Sequence, residues 1–232
     1  EIGSGLVGSE MCIRDSISVG EVSKLKFNDY FVQEGLAFRF TPFNYRVWGD
    51  AEGDNGYAVD IKKLYDNVMN RYKYGGLDTP GLYLDETTLR TCYYHRRLFA
   101  QLAKELIKQG DHVRARKVLT YAEQAVPAYN VPEIYESGSF DIATAYAALG
   151  EKTKAVTLFN HLIAESEDYI NWAFSLGNGR TGMMQNDCLY KFWQWNAYNE
   201  RMKEIDKESY EASNRRFEEK YALFTQIINN RN

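Results

Sequence analysis

The chain has 232 residues, with 28 Lys and Arg against 32 Asp and Glu, a formal charge of −4, and 44% hydrophobic and 15% aromatic residues. That length suits one large domain or two small ones, and that apolar content excludes wholesale disorder. The near-neutral balance gives no basic field for nucleic acid, no run of about 18 apolar residues exists to span a bilayer, and the unpaired spacing of Cys12, Cys92 and Cys188 implies neither a disulfide framework nor a zinc site.

Residues 1–16 differ in character from the rest of the chain. Leu6 to Ser16 reads LVGSEMCIRDS, which resembles the conceptual translation of a transposase sequencing-library adapter. A signal peptide is excluded, because a basic n-region and a continuous apolar h-region are both lacking. Setting these residues aside removes Glu1, Glu10, Asp15 and Arg14 and moves the formal charge from −4 to −2; it also removes Cys12. The native part is then expected to begin near Ile17 without an initiator Met, as the tail of a longer protein.

Residues 17–58 lack a helical pattern. Phe31 to Pro42 alternates aromatic and polar residues towards its end and predicts a short strand stopped by Pro42. Asp50 to Gly56 reads as a turn-rich loop, and its acids lack the closing Glu and most ligand positions of a calcium loop. From Val59 the pattern turns helical, with Leu64, Val68 and Met69 in a stripe that Gly75-Gly76 ends. Asp85 predicts the N-cap of a helix to about Gln109. Gly110 breaks it, and Val113 to Val126 predicts a second helix stopped by Pro127. A third helix is expected over 138–149, a fourth over 153–166, and 168–176 allows more helix. Gly177 to Gly182 (GNGRTG) reads as a loop, and 184–229 as one or two long helices striped by Tyr210, Phe217, Tyr221, Phe224 and Ile228. The fold class is mainly α, a tetratricopeptide-like helical hairpin array over 59–232 behind a small non-helical or β segment over 17–58.

The array rests on a repeat. Gly110 and Gly150 are each followed five residues later by Ala, at Ala115 and Ala155. The first unit adds Ala122 and Pro127, a pattern that resembles the tetratricopeptide repeat: Gly ends one helix, a small Ala lets the helices cross closely, and Pro ends the second. The second unit has Leu162 and Glu167 in the later places, and the step exceeds the usual length of about 34. A generic helical hairpin array is the other reading, with similar consequences for packing. In the repeat frame, Arg97, Ala100, Lys104 and Lys108 of the first unit and Phe140, Thr144 and Ala148 of the second line a concave groove. The three cations suit a carboxylate or an acidic segment; the alternative is a solvated helix face.

No catalytic, metal or cofactor site is expected. His95, His112 and His161 are scattered, and Cys92 reads as a small buried hydrophobe. GNGRTG lacks the Lys-Ser/Thr of a phosphate loop, and Glu218-Glu219 reads as a charged helix face. The dense aromatics are less ordinary: Tyr93-Tyr94, and Tyr190, Phe192, Trp193, Trp195 and Tyr198. Core packing is the expected use of the 190–198 tract; stacking on sugars or bases, or contact with another domain or the membrane interface, are the alternatives.

Three strings carry more than composition does. EGLAFRFTPF (Glu34 to Phe43), YGGLDTPGLYLDETTLRTCYYHRRLFAQLAKELIKQG (Tyr74 to Gly110) and PAYNVP (Pro127 to Pro132) resemble the C-terminal region of the domain of unknown function 2723 family. These bacterial polytopic membrane proteins resemble protein O-mannosyltransferases of the glycosyltransferase C superfamily. The resemblance implies a helical-repeat tail on the periplasmic side of a membrane-attached parent. The parent's catalytic acid lies near N-terminal spans that this chain does not contain, so the tail implied is non-catalytic. Its partners would be its own membrane domain and an acceptor protein or peptide. A free-standing tetratricopeptide-like peptide-binding adaptor and a sugar-binding module are the competing readings.

Overall fold

The computed structural model describes residues 14–16, 28–44 and 58–229 of the chain. The stretch expected as one strand folds instead as a hairpin, with β2 (Phe31–Gln33) antiparallel to β3 (Ala37–Phe40) and Phe31 opposite Phe40. The reversal falls at Gly35, where the Tyr72 hydroxyl occupies the place that a Cβ would take and accepts the Leu36 N–H at 2.9 Å. Glycine is required there because the approach leaves no room for a side chain. β4 (Ala58–Val59) joins β2 in parallel, and β1 (Arg14–Ser16) joins β3 antiparallel, giving the order β1-β3-β2-β4. β1 falls in the adapter-like stretch, but it pairs at the sheet edge through its backbone, and an open edge accepts extended chain of almost any sequence. The rest of that stretch, 1–13, and the loop Asp50 to Gly56 lie outside the described residues.

The chain is mainly α and divides into two compact units, Glu1–Asn130 and Val131–Asn232. In the first, Val59 is the last strand residue, so the helix begins later than its pattern predicts. Asp60 caps α1 (Ile61–Asp66) by accepting the Lys63 N–H at 3.0 Å, and one wide turn, Asn67–Arg71, extends it. Asp85 caps α2 (Glu86–Lys108) as expected, accepting the N–H groups of Thr87 and Thr88 at 2.9 and 3.1 Å. α3 (His112–Ala125) folds back on α2, burying Phe99, Leu102 and Leu106 with Val118, Leu119 and Ala122. Arg96 is buried in this hairpin and donates to the Val126 carbonyl at 2.9 Å, placing a cation at the negative end of α3.

The second unit comprises α4 (Ser139–Ala148), α5 (Lys152–Ser175), α6 (Asn178–Met183), α7 (Gln185–Ile205) and α8 (Lys207–Asn229). α5 packs on α4 and α7, and α7 packs on α8. The fourth helix does not stop at Ser166; α5 runs on through 168–175 with Ile170 and Ala173 buried. GNGRTG is not a loop but supplies α6. Gly177, at φ +84, ends α5, and its carbonyl accepts the N–H groups of Arg180 and Thr181 at 3.0 Å. The buried Thr181 hydroxyl then donates to the Ala173 carbonyl at 2.7 Å. Asp206 separates α7 from α8, and its carboxylate accepts the Ser209 hydroxyl at 2.7 Å.

The two hairpin turns share one hydrogen-bond pattern. Gly110 and Gly150 both sit at φ +78. The Gly110 N–H donates to the Ile107 carbonyl at 2.9 Å and the Asp111 N–H to Leu106 at 2.9 Å. At the second turn, Gly150 donates to Ala147 at 3.0 Å and Glu151 to Tyr146 at 2.9 Å. Each is a Schellman ending, in which a left-handed glycine satisfies carbonyls that the helix leaves open. Ala115 and Ala155, one turn into the next helix, are both fully buried.

Candidate functional site

Arg97, Lys104 and Lys108 fall on one stripe of α2, as their helical spacing requires. Arg97 is exposed, with its guanidinium 5.3 Å from the Tyr94 ring. Lys104 is half-buried. Lys108 donates to Glu105 at 2.8 Å, and that carboxylate is buried, so Lys108 balances an interior acid. Ala100 is buried rather than lining a groove. In the second unit, Phe140 packs with Tyr135, Phe159 and Tyr198 at ring separations of 5.8, 6.0 and 5.7 Å. The Thr144 hydroxyl donates to the Phe140 carbonyl at 2.9 Å, within its own helix, and Ala148 is exposed.

The 190–198 aromatics divide between two roles. Phe192, Trp195 and Tyr198 are buried, and Trp195 donates to Ser213 at 2.8 Å, which in turn donates to Asn199 at 2.6 Å. Tyr190 and Trp193 are 44% and 52% exposed and stack at 5.8 Å, with Tyr135 edge-on to Trp193 at 5.4 Å. Core packing therefore accounts for one face of α7 and not the other. Cys92 and Cys188 are free and buried, and burial pushes both thiols up. His161 lies 3.1 Å from Glu133, and His95 lies edge-on to Tyr74 and Tyr72. Burial holds His95 below its usual pKa, consistent with a structural histidine.

Sequence reasoning missed a cavity of about 370 Å³ in the first unit, between the 72–78 segment and α3. Its walls include Tyr72, Tyr74 and Tyr121, and its polar groups are Lys73, Asp78 and Gln124. Two of the three family-like strings meet at its loop, and the first is tied to Tyr72 in its wall. From the first, Gly35 and Leu36 abut the Tyr72 hydroxyl, while the Glu34 carbonyl accepts the Asn67 amide at 2.7 Å. The second supplies the loop itself. From the third, the Tyr129 hydroxyl donates to the Asp78 carbonyl at 2.6 Å, and the Asn130 amide donates to both Leu77 and Thr79 at 2.7 Å. Side chains from outside the loop thus satisfy successive loop carbonyls, which fixes the backbone before any ligand arrives. Tyr74 is anchored as well: it donates to the Val68 carbonyl at 2.8 Å and packs on Phe99 and Tyr121 at 5.5 and 6.0 Å. Burial, with Tyr121 and Tyr72 nearby, pushes its hydroxyl far above the usual range, so it stays protonated. The signal available in the sequence was the pair Tyr72 and Tyr74 running into Gly75-Gly76; what it lacked was Tyr121 and Gln124, brought in by the α2–α3 hairpin.

Among the described residues, no group of three or more His, Cys, Asp or Glu is placed to hold a metal ion, and no helix is long and apolar enough to cross a membrane. The chain matches no family model, no curated protein and no solved structure.

Proposed function

We propose that the chain is the helical-repeat C-terminal domain of a membrane glycosyltransferase-like protein of the domain of unknown function 2723 family, and that it works by binding. In this reading it presents an acceptor protein to the parent's membrane domain, or positions that domain, on the periplasmic side. The observation that supports it best is that Tyr129 and Asn130 of the third string brace the loop carbonyls of the second, while the first is tied to Tyr72, just ahead of that loop. Residues about 50 positions apart in sequence serve one local structure, which fits a common binding task. The equivalent turns at Gly110 and Gly150 support a repeat architecture of tetratricopeptide type. The test is the contiguous genomic sequence upstream of the Ile17 codon. An open frame encoding many apolar spans is expected there; a stop codon or an unrelated gene would overturn the proposal.

A further inference from the structure

The outer edge of β3 carries a strand that its register does not suit. We propose that this edge is a strand acceptor whose native occupant is an extended segment of the parent chain just ahead of Ile17, with a β-branched or aromatic residue opposite Phe38. This gives the positioning role proposed above a physical form and rests on that reading.

The hydrogen bonds of the hairpin define the edge. The Ala37 carbonyl accepts the Glu34 N–H at 3.1 Å, and the Thr41 N–H donates to the Tyr30 carbonyl at 2.7 Å. Backbone groups alternate in direction along a strand, so Phe38 and Phe40 turn theirs away from β2, to the outer side. There β1 pairs antiparallel, with Arg14 opposite Arg39, Asp15 opposite Phe38 and Ser16 opposite Ala37. That order of residues is a poor match for a strand. Like charges directly opposite destabilise a ladder, and Asp is depleted from strands. Arg39 has its counter-charges in Glu34 and, at 3.8 Å, in Asp60, so it needs no acid from the neighbouring strand. Phe38 and Phe40 share a face of the sheet, and Phe40 packs on Phe31 and Tyr30 at 5.5 and 6.3 Å. A β-branched or aromatic residue opposite Phe38 would extend that apolar face. The segment seated there lies in the stretch that reads as adapter, so it holds the edge by position and backbone rather than by sequence. Position also selects the source. Only residues 17–27 separate β1 from Asn28, and a tether that short gives a strand an effective concentration of about the millimolar range, against which a free partner strand competes poorly.

The test is amide hydrogen exchange in the intact chain and its variants, with Leu102 of α2 as the internal reference. Asp15→Val should slow exchange of the Phe38 N–H by about three- to ten-fold, the scale of one improved cross-strand pair. Asp15→Pro, which removes a ladder donor, should speed it by at least as much. Equal exchange in all three chains would overturn the acceptor assignment. A chain carrying the native residues encoded ahead of Ile17 in place of 1–16 should protect Phe38 as Asp15→Val does. Exchange as fast as with Asp15→Pro would overturn the assigned occupant. Apolar spans upstream together with that fast exchange would leave the parent reading standing and sink this inference alone. A stop codon upstream would overturn the parent reading and the source with it, so the two failures are distinguishable.

Discussion

Glycine carries two different burdens in this chain. At Gly110 and Gly150 a Cβ would meet nothing within 4 Å, so the only cost of a side chain there is the left-handed backbone at φ +78. Gly110→Ala and Gly150→Ala should each destabilise by about 1–2 kcal/mol, read from the midpoint of urea unfolding, with no change in fold. At Gly35 the Tyr72 hydroxyl fills the space, so Gly35→Ala should cost more than either, and Tyr72→Phe in that background should recover part of the loss. Glu34 makes a pH prediction. Burial alone would raise its carboxyl, but the hydrogen bond from Lys63 at 2.8 Å and the charge and hydrogen bond of Arg39 outweigh burial and hold it below its ordinary value of 4.5. A carboxyl lowered by folding contributes stability above its unfolded pKa and loses it as pH falls through the folded value. Acidification below 4.5 should therefore destabilise the chain, and Glu34→Gln should flatten that part of the pH profile.

At the scale of elements, the helices were legible wherever a cap and a stop frame them. Asp85 and Gly110 bound α2 as read from sequence, and both glycine turns fall in place. Three elements were not legible, each for a physical reason. The β2–β3 hairpin hides inside one alternating stretch, because its break at Gly35 depends on Tyr72, far along the chain. α6 hides in a glycine-rich string, because Gly177 alone acts as the stop and the next residues are free to be helical. The cavity depends on α3 folding back to place Tyr121 beside Tyr74, a tertiary event with no local sign. The loop that forms it hangs on Asn130. Asn130→Ala should leave the Leu77 and Thr79 carbonyls without that donor, costing about 1–3 kcal/mol and raising amide exchange over 74–80 while α8 stays protected.

For the molecule as a whole, the sequence pattern places a boundary at 58/59, where helical spacing begins, while the compact units divide at Asn130 and Val131. The second unit buries its own core of Phe159, Leu162, Ile163, Trp195 and Tyr198. A chain starting at Val131 should thus keep its helical circular dichroism and melt cooperatively. Among the described residues, no helix of either unit is long and apolar enough to cross a membrane. The most direct measurement takes the contiguous native gene, tags its C-terminus, and follows the tag in cell fractions and in protease-treated spheroplasts. A periplasmic tail on a membrane-attached parent predicts a tag that sediments with membranes and is removed by external protease. A tag in the soluble fraction, or one protected inside intact spheroplasts, would contradict it.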